Sequence, residues 1–351
     1  MGQEKRITMT DGAGGEKMMA FIRRFVLANF GGNAGEIPLG MLDDSAIIEG
    51  IAFTTDTYVV KPLFFPGGNI GSLAISGTVN DLAVMGATPV ALSCALILSD
   101  GFPLEDLDKI LRTMRDCASK AGVSVVTGDT KVVEKSALEG IFINTSGIGK
   151  RSQFLDGNIK AVRESRKFSY NWPNDSAVAA GDKIIVSGTV GDHGVALLSF
   201  REGYGFESKI KSDAQPLNHM IAKALEVGGI TAMKDATRGG VANALNEWAE
   251  KSKTGIILEE DRIPYNEAVL TACEMLGIDP LEVGNEGKAL IAVVPQLADD
   301  VLKALKSTKE GKKAAIIGEA SKKCRGVAMR TSVGGLRVVE PPADDPVPRI
   351  C

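Results

Sequence analysis

A chain of 351 residues has the length of about two domains and is far too long for a mini-protein stapled by disulfides. Its 44% apolar and 24% charged composition is that of a globular chain and excludes a disordered one. Forty basic residues against forty-four acidic ones leave a net charge of −4, which predicts neither a nucleic-acid nor an anionic-membrane surface.

The opening MGQEKRITMT lacks the basic-then-apolar run of a signal peptide, and the five cysteines are widely spaced with no CxxC pair. Both features predict a cytoplasmic location and no zinc knuckle. Only His193 and His219 are present, so any metal must rest on oxygen ligands. After Gly12, Gly14 and Gly15, apolar Met18, Phe21, Ile22, Phe25 and Val26 recur at helical spacing, predicting an amphipathic helix with an open backbone at its entrance. Glu49-Gly50, flanked by 45–48 and 51–54, predicts a two-residue hairpin. A buried helix over 69–85, a strand over 90–98, a helix over 104–121 and strands at 123–126 and 141–143 follow. The most apolar run, 82–98, is split by Gly86 and Pro89, which favours a buried helix and core strand over a membrane span.

From 151 to 180 the sequence turns polar and aromatic and the periodicity fades. We therefore expect an N-terminal domain over 1–160, a linker or insertion over 161–180 and a C-terminal domain over 181–339. In the latter, strands at 183–187, 255–258, 289–294 and 314–317 alternate with helices at 194–200, 218–225 and 241–250. Residues 340–351 hold four prolines and predict an extended, mobile tail, reaching roughly 30 Å at about 3.1 Å per residue.

Counting outward from the hairpin places Asp43 opposite Asp56 and Asp44 opposite Thr55. Carboxylates about 4.5–5.5 Å apart at Cβ repel and call for a cation. Asp81 lies in an otherwise apolar helix, where an ionised group is costly unless paired or bound to metal, and Asp129 follows a strand. Together they suggest an oxygen-rich Mg²⁺ site, although any one aspartate taken alone reads as a turn former or helix cap. Magnesium commonly joins one or two carboxylates to substrate phosphates. Cradles for those phosphates would come from the first glycine cluster and from Gly239-Gly240 after Arg238. Lys131 reads alone as a surface lysine, His193 as a packing histidine, and His219 has no supporting neighbours. Pro348-Arg349-Ile350-Cys351 places a thiol at the end of the tail, where packing gives no reason for it.

Several motifs carry a resemblance over nearly the whole chain: Asp43-Asp44-Ser45-Ala46, Thr54-Thr55-Asp56, Phe65-Pro66-Gly67-Gly68-Asn69-Ile70-Gly71, Gly77-Thr78-Val79-Asn80-Asp81-Leu82, Gly128-Asp129-Thr130-Lys131-Val132-Val133, Gly191-Asp192-His193-Gly194, Asp235-Ala236-Thr237-Arg238-Gly239-Gly240 and Pro348-Arg349-Ile350-Cys351. The chain resembles the HypE family of hydrogenase maturation factors, within the superfamily of aminoimidazole ribonucleotide synthetase, selenophosphate synthetase and thiamine monophosphate kinase. The resemblance implies a two-domain α/β plus α+β fold with a flexible tail, acting as a homodimer that binds ATP and Mg²⁺. It also implies ATP-dependent dehydration of a carbamoyl group on Cys351 to a thiocyanate. The carbamoyltransferase HypF would load the group, and a HypC–HypD scaffold would receive the cyanide for [NiFe]-hydrogenase iron.

On this likeness Cys351, Glu286 and Lys131 are the catalytic candidates. Gly12, Gly14, Gly15, Asp44, Asp56, Asp81, Gly128, Asp129, Thr130, Arg238 and Gly239 would hold the nucleotide, and Asp43, Asp44, Asp56, Asp81 and Asp129 the metal. Two departures stand out: Asp11 where relatives usually have His, and a 151–180 segment longer than the family linker. A superfamily synthetase or kinase for a small molecule, or a non-catalytic maturation scaffold, are the alternatives. The former would not need Cys351, and the acidic motifs argue against the latter.

Overall fold

The computed structural model describes residues 6–12, 15–32, 34–204, 210–342, 346–347 and 349–351. The hairpin forms where expected. Glu49 and Gly50 both take positive φ, at 52° and 75°, the twist that a two-residue turn needs to bring strands together. It joins β1 (Ala46–Ile48) to β2 (Ile51–Tyr58), with Ile48 opposite Ile51. A two-residue pair, β3 (Phe64–Phe65) and β4 (Gly68–Asn69), leads into α3 (Ile70–Val84); α1 (Gly15–Phe21) and α2 (Ala28–Phe30) precede the hairpin. Asn69 caps α3 through Gly71 N–H at 2.8 Å, leaving a helix buried on nearly every side. Then come β5 (Ala87–Ser99), α4 (Leu104–Ala121), β6 (Ser124–Val133) and β7 (Ile141–Arg151). The five strands order β1-β2-β7-β5-β6, with α3 and α4 on one face.

Among the described residues no element covers the opposite face. Phe53, Ile97 and Ile148 lie exposed on it, and Val125, Val126 and Val132 are exposed along the edge strand β6. Among the described residues no helix is long and apolar enough to cross a membrane.

The second sheet orders β14-β13-β10-β12-β8-β11-β9. Its strands are β8 (Lys183–Val186), β9 (Ile230–Asp235), β10 (Gly255–Glu259), β11 (Ala289–Val293), β12 (Ala315–Ser321), β13 (Val327–Arg330) and β14 (Leu336–Val339). The helices are α6 (Asp192–Glu202), α7 (Asn218–Val227), α8 (Gly240–Ser252), α9 (Glu267–Leu276) and α10 (Ala298–Lys306).

Three expectations are corrected. The polar stretch 151–180 contains α5 (Leu155–Ser165), which straddles the boundary expected at 160 and whose Leu155, Ile159 and Val162 are buried. Asn158 pins it to β9 through reciprocal bonds with Ile230, at 2.7 and 2.8 Å. Its apolar stripe is only three residues long, too short to stand out among polar neighbours. The stripe at 18–26 is helical but contributes no core, and Phe25 is 49% exposed. Arg23 instead bonds Glu250 of α8 at 3.0 Å.

The tail is the third correction. Val347 and Ile350 are fully buried in the core shared by α3 and α6, so its described end is docked.

Candidate functional site

The docked tail brings Cys351 into a cavity of about 220 Å³ between the two domains, lined by Asp44, Asp56, Asp81, Asp235, Arg238 and Glu286 among others. Each acidic group arrives by a different route. Alternation along β2 turns Thr54, Asp56 and Tyr58 inward. Asp81 projects from the second half of α3 and accepts from Thr54 Oγ1 at 2.8 Å, while Tyr58 OH donates to Asp56 at 3.0 Å. Asp235 ends β9, and Arg238 and Gly239 precede the first turn of α8. Glu286 sits in the loop before β11, with its backbone N–H held by Asp213 at 3.0 Å.

Burial, followed by mutual repulsion, raises the affinity of these carboxylates for protons. Asp81 titrates well above the usual carboxylate range because of burial and then the charges of Asp56, Asp235 and Asp44. Asp235 does so through burial and Asp44, and Glu286 through burial, Asp235 and Asp213. Asp44 is pushed up to about 6 by burial, against the pull of Lys234. Arg238 is held more firmly protonated, first by the negative charge at Cys351. Asp44 Oδ2 and Glu286 Oε1 are buried with no hydrogen-bond partner among the described residues. Such a set gains from a cation that neutralises it.

The sequence-derived ligand set needs correction. The β1–β2 ladder ends at Ala46 opposite Phe53, so Asp43 does not face Asp56. Instead Asp43 bonds Lys251 at 3.0 Å and Asn174 at 3.1 Å. Gly128, Asp129, Thr130 and Lys131 lie exposed on the edge strand β6, lining none of the acidic cavity. Among the described residues no group of three or more His, Cys, Asp or Glu is arranged to hold a metal by itself. Gly12 lies in an exposed turn and Gly14 outside the described residues. Gly15 reaches an adjoining cavity of about 390 Å³, which shares Asp44, Thr55, Asp235 and Arg238 with the first. Asp11 only closes its own turn, accepting from Thr8 N–H at 2.7 Å.

The supports of this site carry no motif in the sequence. Lys234 Nζ donates to Asp44 at 2.8 Å and lies within 3.4 Å of Asp175 and 3.2 Å of Glu247. Lys251 bonds the same Asp175 at 2.6 Å, and Trp248 donates to it at 2.7 Å. This buried network ties the Asp43–Asp44 loop to α8 and β9 of the other domain, and breaking one partner of such a set typically costs about 3–5 kcal/mol. No local spacing signals it. Asp235 did have a signal, three residues before Arg238 in the same motif.

Two matches to family models cover most of the chain: the AIR synthase related protein N-terminal domain over 42–150 and its C-terminal domain over 179–330. The sequence is 42% identical over 358 residues to a carbamoyl dehydratase HypE of Rhizobium leguminosarum bv. viciae, covering 99% of this chain and 95% of the relative. The crystal structure of a HypE–HypF complex matches with a TM-score of 0.83 at 41% identity, covering 92% of this chain and 100% of the other. A hydrogenase maturation protein HypE in complex with ATP matches with a TM-score of 0.78 at 37% identity, covering 98% and 99%.

Proposed function

The chain belongs to the HypE family of carbamoyl dehydratases, and from this we propose that it uses ATP to convert a carbamoyl group on Cys351 into a thiocyanate for hydrogenase maturation. The observation that carries this reading is the entry of Cys351 into the acidic cavity, beside Arg238 and Glu286.

Loss of water from S–C(=O)–NH₂ requires the oxygen to become a leaving group and the nitrogen to give up two protons. Attack of the amide oxygen on the γ-phosphoryl group, with one N–H proton removed, gives an S-bound imidate phosphate and ADP. Breaking the C–O bond as the second proton leaves releases phosphate and yields S–C≡N. Glu286 is the base this cavity offers, and a carboxylate raised toward neutrality is suited to take and pass on protons. Arg238 faces the negative charge at Cys351 and stands where negative charge develops during phosphoryl transfer. The backbone N–H groups opening α8 after Gly239 favour phosphate. The orphaned Asp44 oxygen and the repelling Asp56 and Asp81 fit Mg²⁺, which would neutralise phosphate charge when bound.

Burial of Val347 and Ile350 favours the docked tail, and the conformational entropy lost in ordering its backbone opposes docking. Loading by a carbamoyltransferase of the HypF type requires the tail to leave and return. Glycine at 284 makes the return path. A Cβ there would lie 2.3 Å from Ile350 Cδ1 and 2.9 Å from the Thr237 carbonyl, so Gly284→Ala is expected to slow thiocyanate formation about tenfold by overpacking. Mass spectrometry of the loaded chain should show carbamoyl persisting on Cys351.

A homodimer is supported by the uncovered sheet face, whose apolar side chains run beside Thr55 at the lip of the cavity. A second copy on that face would carry Asp129, Thr130 and Lys131 toward a nucleotide. A cytoplasmic location and delivery to a HypC–HypD scaffold complete the reading.

Asp81 gives a test on stability as well as turnover. Above the ordinary carboxylate range the unfolded chain has released the proton that folded Asp81 retains, so this group's contribution to stability falls as pH rises toward its raised folded-state pKa. Asp81→Asn is expected to raise the melting temperature near pH 8 while reducing ATP turnover about 10²–10³-fold. Calorimetry and phosphate release check the two arms. Incubation with HypF, carbamoyl phosphate and ATP, followed by intact mass, tests the function itself: one carbamoyl is gained, then one water lost.

A further inference from the structure

His193, the first turn of α6, is completely buried and touches the tail. Its Nε2 lies 2.8 Å from the Ile350 carbonyl oxygen and its Nδ1 2.8 Å from Ser212 Oγ. A carbonyl can only accept, so Nε2 carries the proton and Nδ1 accepts from the serine hydroxyl. Ser212 Oγ in turn accepts from Ala214 N–H at 3.1 Å. The Phe65 ring packs edge-on against the imidazole at 5.6 Å, and burial keeps the ring in its neutral form. With the tail docked, one tautomer and one orientation of the ring are thus set, and its N–H points at the residue next to Cys351.

The segment supplying Ser212 also serves the base. Asp213 holds the Glu286 backbone N–H at 3.0 Å and Lys288 Nζ at 2.7 Å, and Ser212 N–H donates to the Pro66 carbonyl at 2.8 Å. Tail and base therefore meet the same short stretch of chain from two sides.

We propose that His193, oriented by Ser212, is the latch that holds the tail in its docked position, a positioning residue for dehydration and not for loading of Cys351. The proposal rests on the dehydratase reading for its second half-reaction only. Docking itself is read without it, through access to the Cys351 thiol.

The test uses full-length His193→Ala, His193→Gln and Ser212→Ala. Three rates are measured: alkylation of Cys351 by iodoacetamide, resolved by peptide mass; carbamoyl gain with HypF, carbamoyl phosphate and ATP; and single-turnover loss of water from the loaded chain. Removing one buried hydrogen bond to the tail should raise alkylation about five- to tenfold and slow water loss by a similar factor, with loading no slower. His193→Gln, whose amide N–H can reach the same carbonyl, should recover part of both changes, and Ser212→Ala should show a weaker form of them. Unchanged alkylation in His193→Ala, even with slower water loss, overturns the latch. If that variant does not fold, unchanged alkylation in both other variants overturns it equally. Raised alkylation in a protein whose wild type never loses water leaves the latch standing and removes the dehydratase reading instead.

Discussion

Cys351→Ala is expected to abolish both mass changes, the gain of a carbamoyl group and the loss of water, while the chain folds and still binds nucleotide. The sulfur is the atom that carries the reacting carbon, so no neighbouring group can replace it. The alternative of a small-molecule synthetase predicts the opposite, because a diffusing substrate would not depend on residue 351. Folding should survive because the docked tail contributes two buried side chains, Val347 and Ile350, and alanine leaves both in place. A variant that kept ATP-dependent release of a free metabolite would overturn the covalent-carrier reading.

Glu286→Gln is expected to load normally and to slow water loss by about 10²–10⁴-fold, the usual worth of a positioned general base. Glutamine keeps the shape and the backbone bond to Asp213 but accepts no proton. The pH profile gives a second signature. Burial and the charges of Asp235 and Asp213 hold Glu286 protonated well above the ordinary range, so its basic form accumulates as pH rises. Water loss in the wild type should therefore climb with pH beyond the ordinary carboxylate range, and Glu286→Gln should flatten that limb. A variant with the wild-type rate and profile would remove Glu286 from the chemistry. Nucleotide binding, measured separately, keeps a loss of substrate from passing as a loss of base.

The legible parts of the fold were those fixed by local chemistry. The helix expected over 104–121 runs over Leu104–Ala121, because its apolar residues recur on one face. The hairpin at Glu49-Gly50 could be counted because a two-residue turn sets its own register. The count failed at Asp43 and Asp44, where the ladder stops and a lysine from the other domain takes Asp43. β9 carries buried residues throughout, so it lacks the alternation that marks a half-exposed strand.

The candidate site divides along the same line. Asp44, Asp56, Asp81, Arg238 and Glu286 could be named from motifs and from the cost of a charge among apolar neighbours, and they do line one cavity with Cys351. That Asp129 and Lys131 stand apart from it in a single chain depends on which edge of the sheet β6 occupies, which no short window encodes. Nor could the tail's resting place be read: its prolines describe a chain without partners of its own, whereas the groove that receives Ile350 is assembled from α3, α6 and the bare backbone at Gly284. Residue type fixes what each group can donate or accept, and so the chemistry on offer, a thiol, a set of carboxylates and an arginine, is written in the chain. Which of these groups meet is set by folding, because contacts between residues far apart in the chain are stabilised by burial of the whole interface and not by any local preference.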